Sequence, residues 1–412
     1  MKISSTKLWK MITFLFKLGI GFGIILSSFV SSWSVTAEGN LPAKTGVVLH
    51  AINNQLIVPS DNLQAPAFLT RGSNNGGIVF ERQDIVIPVS DGHFLEARLH
   101  KPKGVQNAPI IMYYHGGAFM EGYGSIYSHD NIVRALANRS GAIVVSVGYR
   151  LAPQHIFPKA IEDSYDALVW VHEHAEDLGG DSDNIAVAGD SAGGNIATVT
   201  AMKARDLGGP NLVAQLLYYP LTTFHDHALE TRDKYSSGNY LLSRAVMEKA
   251  RDSYTPGKEM WENPYVSPLD AGEATDLPPA FIATAEYDPL RDEGELYAEK
   301  LFQDGVHVET MRYEGVMHGF LSFYEVMATG NTALNDSLAF LENEWAGDRE
   351  ATVGFRVIDR EPPSGWARVK EEIEAHAAAI YLLSIQFSNV FNQMVEQADG
   401  LFQSEDRDDE FK

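Results

Sequence analysis

Short apolar runs alternate with helical patterns from Ile85 onward, and this repeat limits the fold more than any other feature of the 412-residue chain. The segment DIVIPVSDGHFLEARLH predicts a hairpin closed at Asp91-Gly92, because so tight a turn needs residues that tolerate positive φ. Beyond it, residues 110–114, 142–147, 185–188, 213–218, 280–285 and 308–313 are short and apolar, while 161–174 and 193–205 carry helical spacing. Strands that are apolar throughout must be covered on both faces, and parallel neighbours need crossover helices. The expected class is therefore α/β, a mostly parallel sheet between helices, with ligands at the carboxyl ends of the strands.

Composition narrows the partners. The formal charge of −23 makes nucleic acid and anionic lipid poor ones. With no cysteine in the chain, disulfides, thiolate metal sites and a cysteine nucleophile are excluded. His172 and His174 stand two apart and cannot share a helix face, and no HExxH occurs, so neither metal nor cofactor is expected. At the amino terminus, Lys2, Lys7, Lys10 and Lys17 precede an uncharged stretch over 18–30, and SVTAEG offers small residues for cleavage after Ala37. This predicts a signal peptide over 1–37 and an exported protein, periplasmic or secreted. The alternative is an uncleaved membrane anchor, against which stands an apolar stretch shorter than the ~20 residues of a spanning helix.

In IAVAGDSAGGNIA, a buried run gives way to Gly189-Asp190-Ser191-Ala192-Gly193. Serine here can cap a helix, or it can stand on a strained strand-to-helix turn as a nucleophile, where flanking glycines allow close backbone approach. A serine hydroxyl reacts only if a histidine takes its proton and a carboxylate fixes that histidine's tautomer. Asp288 in FIATAEYDPLRDEG follows one predicted strand, and His318 in RYEGVMHGF follows the next. Serine, acid and histidine thus occur in a known chain order at strand ends. Asp292 and Glu293 read instead as the acidic first turn of a helix, and His307, within Val306-His307-Val308, reads as structural. Upstream, IIMYYHGGAFMEGY puts Gly116 and Gly117 in a loop after a strand, where backbone N–H groups can converge on an oxyanion with Ala192 N–H as a third donor.

HGGAF, YRLAPQHIFPKAIEDSYDAL, GDSAGGN, PPAFIATAEYDPLRDEGELYAEKL and MHGF together resemble the hormone-sensitive lipase family (bacterial family IV type) of esterases in the α/β-hydrolase superfamily. The resemblance covers roughly residues 85–345. It implies an eight-stranded α/β-hydrolase sheet with a helical cap, and a carboxylesterase acting on short- to medium-chain acyl esters. Ser191 would be the nucleophile, His318 the general acid/base and Asp288 its orienter. Gly116, Gly117 and Ala192 would form the oxyanion hole, braced by His115 and Asp190. Ala118 stands where HGGG has a third glycine, and Gln154 where LAPEH has a glutamate. An amidase or deacetylase would use the same triad. A non-catalytic small-molecule binding protein of this fold would lack the histidine, which this chain keeps.

The remaining segments divide as 38–80, an amino-terminal cap piece; 81–349, the catalytic domain with a cap insertion at about 221–262; and 350–412, a helical extension with an acidic tail. TGVVLHAINNQLI and SGNYLLSRAVMEKARDSY carry helical spacing, which the resemblance implies belongs to lid elements and which ordinary packing helices would share. In the extension, Trp366, Ile373, Ile380, Phe387, Met394 and Leu401 recur every seven residues with Val369, Leu383 and Val390 between them, a stripe suited to docking or a homo-oligomer contact.

Overall fold

The computed structural model describes residues 5–57, 79–348 and 354–408. The chain divides into two compact units, residues 59–363 and residues 1–58 together with 364–412. Its helices are α1 (Ser5–Ser34), α2 (Ala43–Asn53), α3 (Asp130–Ser140), α4 (Lys159–Glu173), α5 (Ala175–Leu178), α6 (Ala192–Leu207), α7 (Glu230–Lys234), α8 (Arg244–Tyr254), α9 (Arg291–Gln303), α10 (Ala328–Ala346) and α11 (Gly365–Asp408).

The larger unit is built on β1 (Phe80–Pro88), β2 (Phe94–Pro102), β3 (Ala108–Tyr114), β4 (Ile143–Val147), β5 (Gly180–Asp190), β6 (Ala214–Tyr218), β7 (Ala280–Tyr287), β8 (Val308–Met317) and β9 (Val357–Arg360), in the order β1-β2-β4-β3-β5-β6-β7-β8-β9. The predicted hairpin is present, with β1 antiparallel to β2 and β2 to β4, and every other neighbour is parallel. Every residue of β4 and β6 is buried, as continuous apolar runs require. Register places Tyr114 opposite Gly189, Asp190 opposite Tyr218 and Tyr287 opposite Met317, so the carboxyl ends of β3, β5, β7 and β8 open toward one edge of the sheet.

Two expectations need correction here. The described sheet has nine strands rather than eight, because Val357–Arg360 adds in parallel to β8 and Arg360 clasps Asp336 of α10 at 3.0 and 3.1 Å. The catalytic unit therefore runs past 349 to 363, and the extension begins at 364. A four-residue strand is too short to register as periodicity. The second concerns the amino-terminal lid piece: the apolar face of α2 is occupied within the smaller unit, where Val47 and Ala51 pack with Leu26 and Val30 of α1 and Ala375, Ala379 and Leu382 of α11. Spacing revealed an apolar face but not what covers it; residues 58–78 lie outside the described chain.

In α11 the buried positions are Ala375, Ala379 and Leu382, and of the predicted stripe Leu383 packs against them half-buried. Trp366, Val369, Ile373 and Ile380 are exposed, while Phe387, Val390, Met394 and Leu401 have no described side chains. Helix α1 is longer than the sequence implied. Its apolar span Trp9–Ser34 has 26 residues, long and apolar enough to cross a membrane, because Lys10 and Lys17 interrupt the apolar run without interrupting the helix.

Candidate active site

Strand β5 ends at Asp190 and α6 begins at Ala192, leaving Ser191 alone at the turn with φ 54° and ψ −119°. A non-glycine residue held there stores strain of ~1–3 kcal/mol, so the surroundings must impose it. They do. A Cβ at Gly189 would lie 2.1 Å from the Gly193 carbonyl oxygen, and one at Gly193 would lie 2.0 Å from that of Tyr114. Ser191 N–H donates to the Tyr218 carbonyl at 2.9 Å, which fixes the elbow to β6.

The three residues picked from sequence meet at this edge. His318 Nε2 is 2.9 Å from Ser191 Oγ, and His318 Nδ1 is 2.8 Å from Asp288 Oδ2. Asp288 is fully buried, and its other oxygen accepts Leu290 N–H at 2.8 Å, so both carboxylate oxygens have a defined partner. The Tyr219 ring stands edge-on to His318 at 5.0 Å and limits imidazole rotation. Asp292 accepts Thr231 N–H at 3.0 Å and Glu293 binds Arg232, both at the start of α9, and His307 pairs with Glu344 at 2.9 Å.

The glycine loop departs from expectation in one donor. Gly116 N–H already donates to Asp190 Oδ1 at 2.9 Å, so it is not free to meet an oxyanion. The chain then turns through Gly117, Ala118 and Phe119 at φ 122°, 56° and 58°. Among the described residues, the amides of Gly117, Ala118 and Ala192 make no hydrogen bond. Sequence counted glycines from the start of the motif; the carboxylate that takes up the first amide lies 74 residues away.

That carboxylate is the centre of a buried network. Asp190 accepts Tyr113 O–H at 2.7 Å as well as Gly116 N–H, and pairs with His129 Nε2 at 3.3 Å. Burial pushes Asp190 up, but His129, Tyr113 and the Gly116 amide outweigh it and hold the carboxyl at about 2. Burial pulls His129 down, yet the Asp190 charge wins and its pKa is raised, with Nδ1 3.3 Å from the Ser125 carbonyl. His115 is the opposite case: burial, then the neighbouring His129, lower it to about 4, so it is neutral. It stacks on Tyr149 at 4.5 Å, and its Nδ1 is 2.7 Å from the Gly116 carbonyl. Sequence reading missed His129, a lone loop histidine whose only signal is its place in SIYSHD. Gln154 Nε2 donates to Glu121 at 3.4 Å on the surface, where a glutamate would face like charge.

The segment between β6 and β7 approaches both site loops. Tyr254, the last residue of α8, stacks on Phe119 at 4.1 Å, and Leu241, at φ 76°, leans on Gly319, where a Cβ would come within 2.8 Å of its Cδ2. Helix α8 begins later than its spacing predicted: Ser243 caps it by accepting Val246 N–H at 3.2 Å, which leaves Leu242 outside. Among the described residues, no group of three or more histidine, aspartate or glutamate side chains is placed to hold a metal ion.

A parallel sheet carrying serine on an elbow after β5, with a carboxylate after β7 and a histidine after β8, defines the alpha/beta hydrolase class. The chain belongs to that family: the family model for the alpha/beta hydrolase fold matches residues 111–322. Within it, the chain is a member of the group resembling hormone-sensitive lipase. It is 45% identical over 252 residues to carboxylesterase NlhH of Mycobacterium tuberculosis, covering 60% of this chain and 78% of that one. It is 39% identical over 243 residues to an arylesterase of Saccharolobus solfataricus, covering 59% and 78%. Among solved structures, the hyperthermophilic esterase of Pyrobaculum calidifontis superimposes with a TM-score of 0.63 at 43% identity, over 67% of this chain and 89% of that one.

Proposed function

We propose that the protein is a serine carboxylesterase with Ser191 as nucleophile, His318 as general acid/base and Asp288 as the group that orients His318. The reading rests on the unbroken relay from Ser191 Oγ through His318 to Asp288, at 2.9 and 2.8 Å. Ser191 attacks the ester carbonyl carbon as His318 Nε2 takes its proton, and Asp288 stabilises the imidazolium that results. The tetrahedral oxyanion is met by the amides of Gly117, Ala118 and Ala192, with Asp190 and His115 holding the loop. His318 then returns the proton to the departing alcohol, and water repeats the sequence on the acyl-enzyme. Donors fixed before reaction cost no reorganisation, and loss of one typically costs ~2.7–4 kcal/mol of barrier.

The cap is the insertion at about 221–262, which touches the loops bearing Phe119 and Gly319. Its approach to both supports esters of short to medium acyl chain. A panel of p-nitrophenyl esters from acetate to palmitate, run beside the matching anilides, tests this. Turnover should peak at short or medium esters, with anilides far slower. Faster anilide cleavage would make the protein an amidase, and no turnover of either would make it a binding protein.

A further inference from the structure

Helix α1 has two parts with different surroundings. Toward its carboxyl end, Leu26, Val30 and Ser34 recur every fourth residue and are buried, Leu26 and Val30 against α2 and α11. The fit is close: a Cβ on Gly46 would lie 2.7 Å from Ser34 Oγ and 2.9 Å from the Trp33 carbonyl oxygen. Trp33 stacks on His50 at 3.9 Å, and Ser27 Oγ is 3.1 Å from His376 Nε2. Removing residues 1–37 would strip this cover from Val47, Ala51, Ala375 and Ala379. The SVTAEG sequence is also folded. Thr36 N–H donates to the Gly39 carbonyl at 2.9 Å, Gly39 N–H returns a bond to Thr36 Oγ1 at 3.1 Å, and Leu41 N–H reaches the Ser34 carbonyl at 2.8 Å.

The amino-terminal part is uncovered on every side. Trp9, Phe14, Phe16, Leu18, Phe22 and Ile24 are each between 55% and 70% exposed. Successive helix positions stand ~100° apart, so exposure at 14, 15 and 16 runs round the helix and does not form a stripe. A partner helix covers one stripe; hydrocarbon covers the whole circumference. At ~1.5 Å per residue, the residues from Trp9 up to the packed Leu26 reach about 26 Å, slightly short of a ~30 Å hydrocarbon core, a mismatch that local thinning of the bilayer accommodates at modest cost. Lys10 and Lys17 are seven apart on one face, and helical Cα–Cβ bonds lean toward the amino terminus, so the Lys17 stem points back to the lysine-bearing end.

We propose that α1 is retained as a lipid-embedded anchor, its lysine flank on the cytoplasmic side, and that α2 and the extension helix α11 clasp its outer end. The anchored span is continuous with a folded unit, so the same residues that target the chain also complete that unit. This goes beyond the esterase reading and does not depend on it.

The full-length chain, expressed in a bacterial host, should pellet with membranes, resist extraction by alkaline carbonate, and keep the residues before Glu38 by intact mass. Leu18→Glu with Phe22→Glu, both on the uncovered part, should move the protein into the carbonate-soluble fraction with ester hydrolysis unchanged. A soluble protein beginning at Glu38 would overturn the proposal. So would an intact chain that carbonate releases as a dimer, since a second copy would then be the cover.

Discussion

His129 is the residue whose removal separates the support of the glycine loop from the chemistry of the triad. His129→Leu would leave Asp190 buried and charged, with only Tyr113 O–H and Gly116 N–H to compensate it. Breaking one side of a buried ion pair typically costs ~3–5 kcal/mol. The linkage gives a smaller figure of the same order: a carboxyl held at about 2 instead of 3.8 contributes roughly 2 kcal/mol to folding. In the variant Asp190 should shift, and Gly116, hydrogen-bonded to it, should carry Gly117 and Ala118 with it. If one oxyanion donor is lost, kcat falls about 10²–10³-fold while KM changes little, because the donors act on charge that develops in the transition state. The pH dependence has a definite sign. The His129 pKa is raised, so its contribution to stability is complete below its ordinary value near 6.5 and is lost as pH rises through the folded value. The Asp190 pKa is depressed, so its contribution is complete above 3.8 and is lost as pH falls toward about 2. Thermal melts from pH 4 to 9 should therefore show a decline above pH 6.5 in the wild type that His129→Leu lacks. Stopped-flow turnover with p-nitrophenyl acetate measures the kinetic part. Wild-type kcat together with an unchanged pH–stability profile would refute the reasoning.

Ala118→Gly should stabilise the protein by up to ~1 kcal/mol, read as a small rise in melting temperature, with activity retained, because the backbone there has φ 56° and the proposed donor is an amide. Asp288→Asn should cut kcat by about 10⁴-fold, since it preserves shape and loses the carboxylate that sets the His318 tautomer. Asp292→Asn, which disturbs only the Thr231 contact and an ion pair at the start of α9, should keep most of its turnover in the same assay.

The residues that could be read from sequence are those whose chemistry is local. Buried parallel strands need largely apolar runs, so β3 to β7 stand out, β8 shows instead an alternation of apolar and polar residues, and an elbow needs glycines at fixed offsets, so Ser191 stands out too. Asp288 and His318 were legible because each follows such a strand. What stayed hidden depends on partners far along the chain. The Gly116 amide is taken by a carboxylate 74 residues later, and His129 matters only because folding brings it to Asp190. Strand β9 is four residues of VIDR beside a proline-rich stretch, with no alternation to see. In α11 the heptad of large apolar residues pointed to a contact face, yet the face used carries Ala375 and Ala379, small residues that let helices approach closely, with Leu382 and, from the stripe, Leu383 beside them.

The central claim is that Ser191 is the nucleophile, and covalent labelling tests it most directly. A fluorophosphonate incubated with the purified full-length protein should add one phosphonyl group, found by peptide mass spectrometry on Ser191. Ser191→Ala should abolish both the label and ester turnover, and Ser191→Ala with His318→Ala should be little worse than either alone, because triad members act as a unit. Label on a different serine, or normal turnover by Ser191→Ala, would contradict the account.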